Sequence, residues 1–173
     1  MRFLPSLGLV FALSPVSLLA QLGTNQVVTA TLTGYQAVPA ASSDAVGTFR
    51  GTLHLTATSA TISYTLRYSN LAVPGSTTAV HIHFAQPNVN GGILIYICDN
   101  AAGGGVPTCP TNGRLSGTIT PADLQTLQGQ NIASDDFDKF MRALFAGKLY
   151  IDVHTTRVAT GEIRGQIQAE AFE

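Results

Sequence analysis

The chain has no tryptophan, only two cysteines, two methionines and four histidines in 173 residues. Charge is scarce too: Asp, Glu, Lys and Arg make up 11% of the residues and leave a formal net charge of −1. A surface this short of cations has no patch to track phosphates, which argues against nucleic acid or anionic membranes as partners. No Gly-x-Ser-x-Gly elbow presents a hydrolase nucleophile. The Gly103-Gly104-Gly105 run has neither a Lys-Ser/Thr pair nor a helix start after it, so it is not a phosphate loop. Asp135, Asp136 and Asp138 crowd the start of a helical pattern, where negative charge is favoured, and need no calcium to explain them.

What is present begins with an export signal over residues 1–20. Arg2 supplies the positive start, Leu7 to Leu13 the apolar centre, and Ser17-Leu18-Leu19-Ala20 the cleavage edge. Pro15 interrupts the apolar stretch, which is too short to span a bilayer. Position 21 is Gln, so the junction lacks the lipid-accepting thiol of a lipoprotein, and the polar C-terminus after Glu162 carries no anchor. Residues 21–173 are then a single secreted or periplasmic domain, with no repeats or linkers. Cys98 and Cys109 both lie in the exported part, where oxidation is expected. A disulfide closing the Gly-, Ala- and Pro-rich stretch between them would contribute about 2–3 kcal/mol.

Strand signals dominate. Asn25 to Thr33, Gly47 to Thr58 and Thr61 to Ser69 alternate apolar residues with Thr, Ser or Arg, and Ser59-Ala60 predicts a tight hairpin between the last two. Further strand patterns run from Thr78 to Phe84, Ile93 to Cys98, Gly113 to Thr118, Lys148 to Thr155 and Glu162 to Ala169. About eight short strands predict an all-β fold, an antiparallel β-sandwich or Greek-key barrel. One segment breaks the period. Thr120-Pro121-Ala122-Asp123 opens a short helix, and Ser134-Asp135-Asp136 caps a second with Phe137, Phe140, Met141, Leu144 and Phe145 on one face. Gly147 ends it, so a helical insertion between Pro121 and Ala146 is expected to lid one end of the barrel.

Two strand patterns carry the chemistry. In Val80-His81-Ile82-His83-Phe84 the apolar residues face a core, and His81 and His83 project together from the other, exposed side. In Leu149-Tyr150-Ile151-Asp152-Val153-His154 the same alternation puts Tyr150, Asp152 and His154 on one outer face. Three strand imidazoles are suitable ligands for copper or zinc and would leave a coordination position open. Against this stands the plain alternative that His81 and His83 hydrogen-bond Asp152, Tyr150 or Glu162 and fix loops. His54, between inward Leu53 and Leu55, is a solvent-facing strand residue and the only other histidine that could complete a set. Glu162 and Arg164 share a strand face, where an ion pair between neighbouring strands is the default and Arg164 near Asp152 the alternative.

Several motifs resemble one family. Leu32-Thr33-Gly34-Tyr35-Gln36-Ala37-Val38-Pro39, with Gly47 after it, is similar to the opening L-x-G-x-Q-E-V-P … G of chordin-like CHRD domains. Ala79-Val80-His81-Ile82-His83 resembles that family's A-H-I-H segment, and Gly117-Thr118-Ile119-Thr120-Pro121-Ala122-Asp123-Leu124 its G-T-L-T-x-x-D-L. Leu149 to Thr155, followed by Gly161-Glu162-Ile163-Arg164-Gly165-Gln166-Ile167, resembles the closing L-Y-V-N-V-H-T … G-E-I-R-G-Q-I. Ala37 replaces a common Glu and Asp152 a common Asn. The resemblance implies an immunoglobulin-like Greek-key β fold, distantly similar to copper/zinc superoxide dismutases, in an exported domain with an extracytoplasmic protein partner or a metal ion.

The dismutase likeness implies roles residue by residue. His81-Ile82-His83 and Asp152-Val153-His154 resemble the H-x-H and V-V-H copper ligands, in the same order, and Arg164 takes the place of an anion-attracting arginine. After His83 come Gln86, Asn88 and Asn90, with no histidine before His154, so the zinc subsite of that family is missing. Three functions follow: an exported binding protein holding copper or zinc at His81, His83 and His154 with Asp152 and Arg164 behind them; a copper-only oxidoreductase of dismutase type; or a protein-interaction or matrix module without metal.

Overall fold

A computed structural model describes residues 26–56 and 60–170. The export signal at 1–20 and the Ser59 corner of the expected hairpin lie outside the described residues. Nine strands are described: β1 (Gln26–Thr33), β2 (Val46–Leu55), β3 (Ala60–Ser69), β4 (Thr77–Phe84), β5 (Gly92–Asp99), β6 (Arg114–Ile119), β7 (Leu149–Thr155), β8 (Ile163–Gln166) and β9 (Gln168–Ala169). They join into one sheet of order β5-β4-β7-β8-β1-β2-β3-β6, with β9 beside β1 and every pairing antiparallel. The sheet curls into a half-barrel around one core, in line with the all-β expectation.

The curl explains which residues pair. Along β1, Val28 and Leu32 are wholly buried and Ala30 nearly so, and they pack with Phe49, Leu53, Ile62, Leu66, Val80, Ile82, Ile151, Val153 and Ile163. Gly51 sits at a close approach of β1 and β3 side chains. A Cβ there would come within 2.7 Å of both Ile62 and Val28 side chains, so glycine is required by space. Between β4 and β5 the register slips twice, from Val80↔Cys98 to His81↔Tyr96 and from Ile82↔Ile95 to His83↔Ile93. Each bulge puts an additional β5 residue on the core side, and Leu94, Ile95, Ile97 and Cys98 are all buried. That is why β5 reads as a continuous apolar run.

The insertion differs in part from expectation. The Thr120 signal yields a single 3-10 turn, Pro121–Asp123, with the Asp123 carboxylate accepting from Thr120 N–H and Oγ1–H at 2.7 and 2.8 Å. It goes no further because Leu124 is drawn into the core and Gln125 N–H donates to Leu94 O of β5. This contact, with Gly92 N–H to the Gln130 side chain, covers the free edge of β5. The second signal forms α1 (Phe137–Phe145), whose N-cap Asp136 accepts from Lys139 N–H. Phe137, Phe140, Ala143 and Leu144 enter the core, whereas Phe145 is 44% exposed; the buried stripe is narrower than the aromatic spacing implied.

The larger correction concerns the outer face of the sheet. On β2 the outward Val46, Thr48 and Arg50 are exposed, as alternation predicts, and Thr52 and His54 are half-buried. On β4 and β7 the outward residues are not exposed: His81, His83, Tyr150 and Asp152 are buried alongside the inward residues. Loops roof this side. Ala85 to Gly91 is anchored through Arg164, the 155–162 segment folds back onto His154, and the start of the disulfide loop meets His81. The histidines therefore occupy a second, polar interior.

Candidate metal centre

Register brings the site together. Across β4 and β7, Ala79 faces His154, His81 faces Asp152 and His83 faces Tyr150. The strand period of two puts all of these on the roofed side. One donor atom from each of His81, His83, Asp152 and His154 lies within 4.8 Å of the others. Sequence reasoning placed three of these as ligands and Asp152 behind them; in space Asp152 stands among them. His54 lies on β2 in register with Thr61, apart from the cluster.

Hydrogen bonds fix which nitrogen is free on each ring. His83 Nδ1 is 3.0 Å from Gly91 O and His154 Nδ1 is 2.9 Å from Ala159 O. A carbonyl only accepts, so both Nδ1 atoms carry protons; a neutral His83 presents its lone pair at Nε2, whereas His154 Nε2 is hydrogen-bonded to Asp152 Oδ1. Those two Nε2 atoms point at the same oxygen, Asp152 Oδ1, at 3.2 and 3.1 Å. His83 Nε2 makes no hydrogen bond there despite the distance. His81 Nε2 is 3.0 Å from Asp99 Oδ2, which leaves His81 Nδ1 as the free lone pair, buried and without a partner. His81 Nδ1 and His83 Nε2 are thus the ring nitrogens left buried without a partner, beside the hydrogen-bonded His154–Asp152 pair. Buried polar atoms are rarely left this way, and a cation that displaces the His154 proton would satisfy them.

Burial alone would raise the Asp152 carboxyl, but the hydrogen bond from His154 and the closeness of the His83 and His154 rings outweigh it and hold the group far below the usual carboxylate range. His154 is pushed up despite its burial, because Asp152 stabilises its protonated form. His81 is pushed down, burial outweighing Asp99. Aromatic contacts fix the rings: Tyr150 stacks on His83 at 4.8 Å between centroids and 2° between planes, and Tyr96 meets His81 edge-on at 4.9 Å.

Arg164 is in register with Asp152 but its guanidinium is occupied elsewhere. It lies 3.4 Å over the Tyr150 ring and donates to Val89 O, Gln86 O and Asn90 Oδ1 at 2.9, 3.3 and 3.3 Å. At 3% exposure it clamps the roof loop and does not face solvent. Glu162 does not pair with it. Its carboxylate is buried and accepts from Ser43 Oγ, Ala72 N–H and Thr155 Oγ1. The expected Cys98–Cys109 bridge is present, with Cα atoms 5.1 Å apart. Sequence reasoning missed Asp99, whose signal was its place directly after Cys98 at the end of β5.

A family model describing the CHRD domain matches residues 28–167. The chain belongs to the CHRD domain family. The match spans β1 through Ile167 and so includes every residue of the histidine cluster. No curated protein and no solved structure matches this CHRD domain.

Proposed function

We propose that this CHRD domain is an exported binding protein that holds one copper or zinc ion through His81, His83 and His154, with Asp152 as fourth donor. The observation that carries this reading is the tautomer pattern. Asp99 and Gly91 O each take one proton-bearing nitrogen, so His81 Nδ1 and His83 Nε2 are left buried without partners beside Asp152 and His154, whose Nε2 would join them on giving up its proton. Imidazole and carboxylate donors suit both ions, and the cysteines are tied in a disulfide and do not compete. Export rests on the signal pattern at 1–20 and fits the disulfide. The dismutase alternative would use Arg164 to draw an anion; its burial under the roof loop speaks for binding over redox turnover.

The test is metal analysis of purified protein exposed to zinc or copper and then dialysed, beside the His81→Ala/His83→Ala variant. About one ion per chain is expected for the wild type and none for the variant, with circular dichroism showing that both are folded. Equal metal in the two would leave the interaction-module reading in its place.

A pH dependence follows. Binding requires His154 in its neutral form, and Asp152 raises the pKa at which that ring loses its proton. Below that raised value a proton must be displaced, so apparent affinity should rise about tenfold per pH unit and level off above it. His81, pushed down by burial, offers no proton competition in the same range. Calorimetric titrations between about pH 5 and 8 check this; affinity falling as pH rises would contradict it.

A further inference from the structure

The four donors are not equally enclosed. A recess of about 440 Å³ opens onto His81, His83 and His154, but Asp152 is not part of its lining. Asp152 lies on the closed side, where Gly161 packs against it: a Cβ at Gly161 would stand 3.5 Å from Asp152 Oδ2. With Asp152 on the closed side, a fifth position of an ion at the centre would face the recess. The walls there are Ala79, Ile93, Ala101 and Ala159, with Thr78 and Asn100 and one charged residue, Asp99. Among the described residues, no Lys or Arg lines it. The nearest basic residue in sequence, Arg157, is exposed on the loop behind Ala159 and outside the lining.

Counting charge decides what this opening accepts. Three neutral imidazoles add nothing, and a divalent ion is balanced by Asp152 on one side and Asp99 on the other. An incoming anion therefore meets no net attraction and has the Asp99 carboxylate at the entrance, while an uncharged donor meets only small apolar walls and an open coordination position. We infer that the site, taken as the metal centre proposed above, admits small uncharged nitrogen or oxygen donors and discriminates against anions, with Asp99 as the residue that sets this specificity. A dismutase-type opening has the opposite sign.

The experiment loads wild-type protein with cobalt(II) or copper(II) and titrates imidazole and azide, read by visible absorption of the bound ion. The ratio of azide to imidazole affinity should fall about tenfold below that of the same ion in a small chelate of three imidazoles and one carboxylate, as expected for the further Asp99 carboxylate near the incoming charge. Ala101→Lys puts a cation on the exposed rim, and Ala101 touches Asp99 only through its backbone N–H. It should restore the ratio without changing imidazole binding. Ala159→Lys makes the same test on the second loop, whose contact with His154 is also made by backbone. A ratio equal to the chelate's, or a spectrum that neither ligand perturbs, overturns the inference while leaving the metal centre standing. Failure to load any ion overturns the metal centre itself.

Discussion

Glu162→Leu should cost the metal-free fold about 4 kcal/mol, measured as a lower urea midpoint at unchanged slope. Glu162 is fully buried, and among the described residues its carboxylate makes no ion pair. Ser43 Oγ and Ala72 N–H donate to Oε1 at 2.7 Å each, and Thr155 Oγ1 donates to Oε2 at 2.8 Å. These donors come from the β1–β2 loop, the β3–β4 loop and the end of β7, so one side chain ties three separate chain segments. Leucine matches the volume but strands the buried Thr155 hydroxyl, at about 1–3 kcal/mol, and removes the acceptor of the half-buried Ser43 hydroxyl and the exposed Ala72 N–H, at about 0.5–1.5 kcal/mol each. Relief from desolvating the carboxylate offsets part of this, which is why the total stays near 4 and not at the upper end of the sum. Glu162→Gln keeps one acceptor oxygen and should lose about half as much. The comparison is Asp138→Ala, which breaks an ion pair with Arg142 at 2.7 Å between side chains 74% and 67% exposed and should cost no more than about 0.5 kcal/mol. If Glu162→Leu lies within 1 kcal/mol of wild type, as flagged by the usual surface range of roughly that size, the keystone role is wrong.

Glu162 also shows where sequence reading stops. Alternation puts Glu162 and Arg164 on one face of β8, and that much is right. It cannot say that the face is roofed, because period two reports which side a residue points to and not what lies above it. The exposed histidines of the sequence reading are buried for the same reason. Loops 85–91 and 155–162 carry no period, and their contacts are made by backbone carbonyls of Gln86, Val89, Gly91 and Ala159, which any residue type possesses. Convergence of His81, His83 and His154 was legible, since the H-x-H spacing and the outward parity of His154 survive into the register of β4 and β7. Asp99 was hidden by the two β5 bulges, which destroy parity counting along Ile93 to Asp99. The Thr120 cap reads as opening a short helix; it opens a single 3-10 turn, and tertiary pairing of Gln125 with β5 stops it there.

Removing the disulfide should weaken metal binding by about 10- to 100-fold in a protein that remains folded, through Asp99. Cys98 is the last core residue of β5, and the bridge closes a loop of sequence separation 11 that begins at once with Asp99. Within it, Asp99 N–H donates to Pro107 O, Asn100 N–H to Thr78 O, and Cys109 N–H to Asn100 Oδ1. Asp99 thereby holds two directions at once: Oδ1 accepts from Ala101 and Ala102 N–H at 2.7 and 3.2 Å, and Oδ2 takes the His81 Nε2 proton. That second bond keeps the His81 Nδ1 lone pair free for a cation. In a Cys98→Ala/Cys109→Ala variant the loop gains chain entropy, with a stability loss of about 3 kcal/mol for a loop this short. Its internal bonds no longer fix Asp99, and His81 is free to change tautomer and turn its proton toward the ion. Asp99→Ala in the oxidised protein should reproduce the affinity loss. The two changes together should lose little more than either alone, because both act through one hydrogen bond. Titrations at a temperature where all four proteins are fully folded separate this from global stability. Losses that simply add would mean the loop and His81 act independently, and unchanged affinity without the bridge would show that β4 and β7 hold the site unaided.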